Sequence, residues 1–322
     1  MILLRAVIIE REEQRCVMSA GERADVVCIG QAVVDCITRD IRNIDGGTAE
    51  IVSSGASNLT AGSVGIRTGG DAMNQSAVLS SLGLKAELMC VLGNDLAGDI
   101  VFSEAVKRGV GVSAISRCDD IMTPVANIVV REDGSRYSVS STAARLTGYT
   151  PKPGDIPEAR VLSLASIFRA PIDRPEVIRD ILLEAKRRGM TVCADTKLPT
   201  FRRTSLNDLR DTLPLIDYIF PNEKEAAYYT GQQDLRSMAE VILGYGVKNV
   251  VIKAGEEGCL AANADGFFTV PAVPVKVLDT TGAGDNFVAG FISGLLSGRT
   301  FHECCVTATR QAAASIVHEG AV

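Results

Sequence analysis

The chain alternates between short apolar runs rich in β-branched residues and longer stretches with helical periodicity. The apolar runs lie at Ala24–Ile29, Leu88–Gly93, Val161–Leu164, Met190–Ala194, Tyr218–Phe220 and Val250–Lys253. Runs of this length and composition are typical of strands buried on both faces of a sheet. Helical patterns at Gln75–Leu82 and Pro175–Arg188, each followed by a glycine, predict helices between the strands. The alternation predicts an α/β fold.

A second pattern interrupts this alternation between residues 36 and 67, where Thr, Ser, Gly, Ile and Val follow one another without helical periodicity. Ile51-Val52 and Ser63–Thr68 within it suggest strands. Residues 125–137 have two extended halves around Glu132-Asp133-Gly134-Ser135, which indicates a β-hairpin. We therefore expect one domain over residues 24–322, with a small sheet inserted from about 36–67 and 122–141.

The composition is that of a globular protein with a large core. Hydrophobic residues make up 46% of the 322 residues and charged residues 22%. The formal net charge of -6 and the sequence pI near 5.2 argue against nucleic acid or an anionic membrane surface as the main partner. No apolar run approaches the roughly 20 residues needed to span a bilayer.

Nine cysteines and two histidines narrow the chemistry further. The cysteines form no C-x-x-C pair and most lie in apolar stretches, so we interpret them as buried thiols in a reducing cytosol, which predicts a cytoplasmic protein. His302 and His318 are not near a Cys or carboxylate at ligand spacing, which argues against a His-based metal site. General-base chemistry therefore falls to carboxylates.

The first residues lack the pattern of a targeting segment. Met1–Ile9 is a short apolar run followed directly by the charged Glu10-Arg11-Glu12-Glu13, so it fails as a signal peptide. Met18 begins a stretch that looks like a normal cytosolic start. We expect residues 1–23 to be an extension ahead of the main domain, with residues 1–17 either loosely held or a mis-assigned start.

The stretch Asp279-Thr280-Thr281-Gly282-Ala283-Gly284-Asp285 carries the strongest chemical signal. Its glycines allow a sharp turn that points consecutive N–H groups at one place in front of a predicted helix, which makes an anion hole. An acid inside an anion hole suits phosphoryl transfer: the amides of residues 282–285 hold the developing charge while Asp285 takes the proton of the attacking hydroxyl. A glycine-rich turn with Asp as helix N-cap also explains the pattern.

This stretch resembles the C-terminal signature of the PfkB, or ribokinase-like, carbohydrate kinases, in which the last Asp is the catalytic base. The resemblance extends in order and spacing over residues 24–322. It implies a three-layer sandwich around a mostly parallel sheet, with the small sheet closing over the sugar as a lid. It also implies ATP and Mg²⁺, and it raises a monovalent cation such as K⁺ as a further cofactor.

On the substrate side, two motifs are similar to those of the family. Gly30 and Asp35 match Gly-x-x-x-x-Asp, in which the carboxylate binds sugar hydroxyls; a helix or turn cap is the alternative. Gly69-Gly70-Asp71 with Asn74 resembles the N-terminal Gly-Gly signature, whose Asn reaches the sugar. Asp71 replaces the lysine of the ribokinase version, which fits other neutral sugars or sugar acids. The predicted substrate residues are Asp35, Gly69, Gly70, Asp71, Asn74 and Arg169.

On the nucleotide side, Asn222 and Glu225 stand at i and i+3 of a helix start and match the family's Asn-x-x-Glu, which holds water on Mg²⁺; a capping box has the same spacing. Gly255 and Gly258 resemble its nucleotide-binding Gly-x-x-Gly. Lys197 follows a strand, where it either neutralises a phosphoryl group or is solvated. The predicted nucleotide residues are Asn222, Lys253, Gly255, Gly258, Thr280 and Lys197, with Ala312–Val317 as the adenine-side wall.

Other nucleotide enzymes fit less well. The chain has no Walker A motif, and Gly282-x-Gly284 lacks the third glycine of a dinucleotide fingerprint, so P-loop kinases and Rossmann dehydrogenases are disfavoured. The sequence predicts an ATP-dependent kinase of a sugar's primary hydroxyl. Two alternatives stay open: a nucleoside or sugar-phosphate kinase, with Arg136, Arg169 and Lys197 as cations for a phosphate, and a non-catalytic sugar sensor. Exposed edges of the lid sheet predict a homodimer.

Overall fold

The computed structural model describes residues 23–43, 59–130, 136–140, 149–200 and 202–321; of residues 41–43, 59, 60 and 136 it describes the backbone only. The predicted N-terminal extension therefore lies outside the described residues up to residue 22. The same holds for the strand suggested at Ile51-Val52 and for the hairpin turn at residues 132–135.

The described chain alternates between strands and helices. In chain order the elements are β1 (Ala24–Ile29), β2 (Val33–Asn43), β3 (Leu59–Gly69), α1 (Asp71–Ser81), β4 (Ala86–Met89), β5 (Val91–Gly93), α2 (Leu96–Lys107), β6 (Ser116–Cys118), β7 (Val125–Val130), β8 (Arg136–Ser140), β9 (Ala159–Ile167), α3 (Pro175–Arg187), β10 (Thr191–Thr196), β11 (Tyr218–Phe220), α4 (Glu223–Thr230), α5 (Leu235–Gly244), β12 (Asn249–Lys253), β13 (Cys259–Asn263), β14 (Gly266–Val270), α6 (Ala283–Leu296) and α7 (Phe301–Ser315).

The main sheet has eight strands in the spatial order β14-β13-β12-β11-β10-β9-β1-β4. Neighbours from β4 to β12 are parallel, and β13 and β14 are added antiparallel at one edge. The parallel strands end at the same edge of the sheet, which is where open α/β sheets bind ligands. The predicted mostly parallel sheet is confirmed.

Helices cover both faces of this sheet. Along β1, Val26 and Cys28 point into one hydrophobic core, and Val27 and Ile29 point into the other. Side chains of α1, α2, α6 and α7 complete the first core, and those of α3, α4 and α5 complete the second. The molecule is a three-layer sandwich, and its strands are apolar on both sides because both sides are covered.

The predicted small sheet has four strands in the order β3-β2-β7-β8. Strand β2 pairs antiparallel with β3 and parallel with β7, and β7 and β8 form the predicted hairpin. Only residues 30–32 separate β1 from β2, and β3 runs into α1 through Gly70. The small sheet is therefore attached beside the carboxyl end of β1.

Two boundaries differ from the sequence-based expectation. The run Leu88–Gly93 is divided at Cys90 into β4, which joins the main sheet, and β5, which pairs with β6. The first helix begins at Asp71 rather than Gln75, because Gly70 (φ 92°) turns the chain out of β3 and serves as the N-cap. Both Asp71 and Asn74 therefore belong to the start of α1.

The cysteines of the described residues are free thiols. Cys28, Cys90, Cys193, Cys259, Cys304 and Cys305 are buried, and Cys36 and Cys118 are half-buried. Cys16 lies outside the described residues. Of the helices that the structure describes, none is both long enough and apolar enough to cross a bilayer.

Candidate active site

The ends of the central strands and the starts of two helices meet in one polar cluster. Asn74 of α1 donates from Nδ2 to Oδ2 of Asp285 in α6, at 2.8 Å. Lys253, the last residue of β12, forms an ion pair with Asp195 of β10 at 2.6 Å. These contacts join residues that are far apart in sequence at the carboxyl edge of the sheet.

Asp285 lies in the first turn of α6, with 6% of its surface exposed. Gly282 is the N-cap and has φ 73°, a left-handed conformation that glycine adopts without strain. Asn74 fixes Oδ2 of Asp285, whereas Oδ1 is buried and has no hydrogen-bond partner among the described residues. One oxygen of the carboxylate is held, and the other is available as an acceptor.

Burial raises the pKa of the Asp285 carboxyl above its ordinary value. The positive charge of Lys197 opposes this rise, the negative charge of Asp71 adds to it, and the hydrogen bond from Asn74 opposes it. The net direction is upward, so the carboxylate is more basic than a solvated one. A raised pKa suits a carboxylate that acts as a general base.

Two lysines face this cluster. The Nζ of Lys253 lies 3.4 Å from the place where a Cβ on Gly284 would stand, at the start of α6. Lys197 is half-buried, and within the described part of the chain its ammonium group has no hydrogen bond or ion pair. Burial lowers the pKa of Lys197, but the charges of Asp285 and Asp195 outweigh burial and raise it overall. Lys197 therefore stays a cation.

A cavity of about 880 Å³ opens over the cluster. Its lining includes the residues predicted for the nucleotide and for the anion hole: Lys197, Asn222, Lys253, Gly255, Gly258, Thr280, Gly282, Ala283, Gly284 and Asp285. Its apolar lining includes Val273, Pro274, Val275, Ala312, Ala313 and Ile316. The volume is within the range of roughly 300–1,000 Å³ common for small-molecule sites. The structure thus brings these predicted residues together in one cavity.

Asn222 and Glu225 form a capping box at the start of α4. Oδ1 of Asn222 accepts the Glu225 N–H, and Oε2 of Glu225 accepts the Asn222 N–H, both at 2.9 Å. The same Oε2 accepts the Thr196 hydroxyl at 2.8 Å. A capping box therefore accounts for the i, i+3 spacing of Asn222 and Glu225, although Asn222 also lines the cavity. Oxygen donors of this kind suit Mg²⁺.

Across the described ranges, no group of three or more His, Cys, Asp or Glu is arranged to hold a metal ion. A Mg²⁺ ion held by Asn222 and Glu225 would take its remaining ligands from water and from a bound phosphate. That arrangement is compatible with the donor atoms present.

Asp71 has both carboxylate oxygens engaged. Oδ1 accepts the backbone N–H groups of Gln31 (2.9 Å) and Ala72 (2.8 Å), and Oδ2 accepts the Ser166 hydroxyl. Gly30 makes room for this, because a Cβ there would stand 2.7 Å from Oδ1. Asp71 therefore joins the start of α1 to the ends of β1 and β9, whatever else it binds.

The other predicted substrate residues, Asp35, Gly69, Gly70 and Arg169, do not line the 880 Å³ cavity. The Asp35 carboxylate, on β2, lies against Gly69, where a Cβ would clash with it. Burial raises the pKa of Asp35. Gly70 follows with its positive φ, and Arg169 donates from Nε to the Leu198 carbonyl at 2.8 Å.

Asp195 is the member of the cluster to which the sequence analysis gave no role. It is fully buried, its Oδ1 accepts Lys253 Nζ, and its Oδ2 lacks a partner within the described ranges. Burial raises its pKa to about 7, although Lys253 and Lys197 oppose the rise. The available signal was its place directly after the apolar run Met190–Ala194, at the carboxyl end of a central strand.

Comparison with known proteins decides the family. The pfkB family carbohydrate kinase profile matches residues 23–322. The chain belongs to this family. As a PfkB kinase it is an enzyme, and the family's activity is ATP-dependent phosphorylation of sugars and related compounds. The predicted resemblance is thereby confirmed.

Individual PfkB relatives are moderately similar. The cytidine kinase of Thermococcus kodakarensis is 29% identical over 73% of this chain and 83% of that protein. The ribokinase of Haemophilus influenzae is 27% identical over 82% of this chain and 85% of that protein. The structure of Arabidopsis thaliana ribokinase complexed with ribose and ATP superposes with a TM-score of 0.76, at 22% identity, over 93% of this chain and 95% of that one. The structural likeness confirms the ribokinase-like fold.

Proposed function

We propose that this PfkB kinase transfers the terminal phosphate of ATP to a primary hydroxyl of a neutral sugar, with Asp285 as the general base. The observation that carries the proposal is the state of this carboxylate. It is buried at the start of α6 beside the cavity, with one oxygen held by Asn74 and the other without a partner among the described residues. A substrate hydroxyl that donates to the second oxygen is in position to lose its proton.

The terminal phosphate fits at the N-terminus of α6. The first N–H groups of a helix have no intrahelical partner, and the helix dipole favours negative charge there. Gly282, Ala283 and Gly284 line the cavity at this end, and Lys253 and Lys197 add positive charge. Amides and ammonium groups that are already in place stabilise the charge of the transferring phosphoryl group without reorganising.

The remainder of the nucleotide fits in the same cavity, against its apolar lining. Gly255, Gly258 and Thr280 also line this cavity. Gly258 (φ 93°) allows a close approach of two chain segments, because a Cβ there would stand 2.6 Å from the Ala272 nitrogen. The small side chains of Ala312 and Ala313 leave room for a flat base.

We assign Asn222 and Glu225 to Mg²⁺, bound through water. When bound, Mg²⁺ neutralises and orients the phosphates. The two hydrogen bonds of the capping box use Oε2 and the backbone N–H of Glu225, and neither uses its Oε1. A monovalent cation such as K⁺ is a further proposed cofactor, and replacing K⁺ by tetramethylammonium in the assay tests it.

On the acceptor side, we assign the sugar hydroxyls to Asp35 and Asn74, framed by Gly69, Gly70 and Asp71. Asp35 is a half-buried carboxylate on the small sheet, and Oδ1 of Asn74 is a buried acceptor without a partner in the described chain. Carboxylate and amide oxygens accept hydrogen bonds from a diol. Because Asp35 belongs to the small sheet, closure of that sheet as a lid would complete the site and exclude water.

A neutral acceptor is favoured over a phosphorylated one. Of the cations considered for a phosphate, Lys197 lines the nucleotide cavity and Arg169 donates to the Leu198 carbonyl, while the Arg136 side chain lies outside the described residues. A nucleoside is the second candidate acceptor, because it also carries a primary hydroxyl and a cytidine kinase is among the relatives.

We further propose a homodimer through the lid sheet. Val64, Ile66, Tyr137 and Val139 lie in two rows on the same face of this sheet, by its strand register, and are between 52% and 70% exposed. Covering such an apolar face by a second copy removes it from water. A cytoplasmic location is proposed on the free thiols of the described chain, which fit a reducing compartment.

The deciding experiment is a coupled assay of ADP release with ATP and Mg²⁺ over neutral sugars, sugar acids, sugar phosphates and nucleosides. We expect a neutral sugar to give the highest kcat/KM. A higher value for a nucleoside or a phosphorylated sugar would replace the proposed acceptor class. If calorimetry shows that a sugar binds, but no compound of the panel causes ADP release from ATP, the protein would be the non-catalytic sensor instead.

A further inference from the structure

We propose that Asp195 is a positioning residue for phosphoryl transfer: its carboxylate holds the Lys253 ammonium group beside the N-terminus of α6, where the terminal phosphate of the nucleotide docks. The inference rests on the proposed function of the cavity. It adds to that function a residue that acts on the phosphate through Lys253 rather than by touching it.

The contacts of Asp195 fix the end of a flexible side chain. Oδ1 accepts Lys253 Nζ at 2.6 Å and the Thr196 N–H at 2.9 Å, so the carboxylate is itself anchored to the backbone. The Lys253 backbone is anchored as well, since its N–H donates to the Pro221 carbonyl at 2.9 Å. With both ends held, the ammonium group stays close to Gly284 instead of sampling the many rotamers of a lysine.

Stability does not explain this ion pair. Asp195 is 0% exposed and the Lys253 side chain only 12% exposed, and taking two charges out of water generally costs as much as their attraction returns. Oδ2 of Asp195 is in addition buried without a partner among the described residues. An apolar pair would serve the core at least as well, so a charged pair at the cavity indicates a role in binding or catalysis.

Asp217, which also pairs with lysine, offers a control in the same sheet. Asp217, before β11, contacts Lys186 and Lys248, the latter at 2.7 Å. It lies at the opposite end of the strands, next to the start of β10, since its side chain accepts the Val192 N–H at 2.8 Å. Asp217→Asn thus removes one carboxylate charge from a more exposed Asp–Lys ion pair, away from the cavity.

The test is a double-mutant cycle on nucleotide binding by the whole chain. The variants are Asp195→Asn, Lys253→Met and the double variant, and calorimetry measures their affinities for AMP-PNP and for AMP. We expect the change in AMP-PNP affinity caused by Asp195→Asn to differ by about threefold or more between the wild-type and Lys253→Met backgrounds, because residues in one network are coupled. For AMP, which lacks the terminal phosphates, we expect the same effect in both backgrounds.

The difference between the two nucleotides separates positioning from a merely structural role. Coupling that is equal for AMP-PNP and AMP, or absent from both, would overturn the inference while leaving the kinase assignment intact. Asp217→Asn should lower the melting temperature without changing AMP-PNP affinity; an affinity loss equal to that of Asp195→Asn would also overturn it. A wild-type protein that binds neither nucleotide would overturn the proposed function itself.

Discussion

Asp285→Asn is the substitution that tests the proposed chemistry most directly. Asparagine has the same shape as aspartate, so its side-chain oxygen can still accept the hydrogen bond that Asn74 donates at 2.8 Å. The other side-chain atom becomes an NH₂ group, which cannot take a proton from a substrate hydroxyl. The variant therefore removes the base and keeps the packing of the first turn of α6.

The size of the effect follows from the surroundings of the carboxylate. A positioned general base contributes typically about 10²–10⁴-fold to the rate. Burial raises the pKa of Asp285, and a more basic carboxylate contributes more, so we expect a loss of kcat in the upper half of this range, about 10³–10⁴-fold. That loss corresponds to roughly 4–5.5 kcal/mol of activation free energy. KM for ATP should change little.

The same substitution should not weaken the fold. Burial raises the folded-state pKa of Asp285, so ionisation of this carboxyl destabilises the folded state. The destabilisation is present at pH values above the folded-state pKa. It is absent below the pKa of the unfolded state, which is about 4. Asparagine removes the cost at neutral pH. We therefore expect a melting temperature at or above that of the wild type at pH 7.5, and no gain at pH 4.

The assay is the rate of ADP release at saturating ATP and acceptor, together with thermal unfolding of both proteins. Asp99→Asn is the matched control, since Asp99 is also in the first turn of a helix, α2, but lies outside the cavity and is exposed. A kcat within tenfold of the wild type would refute Asp285 as the base. A loss of kcat accompanied by a large fall in melting temperature would show a structural role instead.

Three further outcomes follow from the same structure. Gly282→Ala should destabilise the fold by more than the roughly 1–2 kcal/mol that a left-handed alanine costs, because the new Cβ would also clash with Ala321. Gly83→Ala (φ 83°) has only the conformational cost, since a Cβ there meets nothing within 4 Å. Equal losses of unfolding free energy for the two variants in chemical denaturation would contradict this. Asn74→Ala removes a hydrogen bond that lowers the pKa of Asp285, so the acid limb of kcat/KM should move to higher pH; an unmoved limb would be evidence against the contact. Val139→Lys should shift the sedimentation mass from dimer to monomer, and a wild type that is already monomeric would rule out the lid interface.

Much of the fold was predictable because it depends on local patterns. Apolar runs without alternation predicted strands covered on both faces, and the hydrophobic cores on the two sides of the sheet confirm this. Gly70, at the junction with the small sheet, and Gly282, at the anion hole, both have positive φ, which a sharp turn before a helix requires. The sequence could not predict that Leu88–Gly93 divides into two strands, because both halves are apolar. The two strands differ only in their partners, since β4 pairs with β1 and β5 pairs with β6.

The candidate site was predictable in its members more than in its contacts. The sequence named Asp285, Asn74 and Lys253, but the hydrogen bond between Asn74 and Asp285 spans 211 positions and depends on how α1 and α6 pack. The spacing of Asn222 and Glu225 left a capping box and a metal motif equally open, and the structure contains the capping box.

By itself, the sequence determined the alternation of buried strands and helices, the glycine turns and the presence of an acid at an anion hole, since each depends on residues close together in the chain. The tertiary structure alone decided which charges face one another. The sequence places Asp195 only at the end of a buried strand, and its ion pair exists because β10 and β12 bring it within 2.6 Å of Lys253, where little of either side chain is exposed to water. Electrostatic interactions depend on distance and burial, and neither quantity is written in the order of the residues.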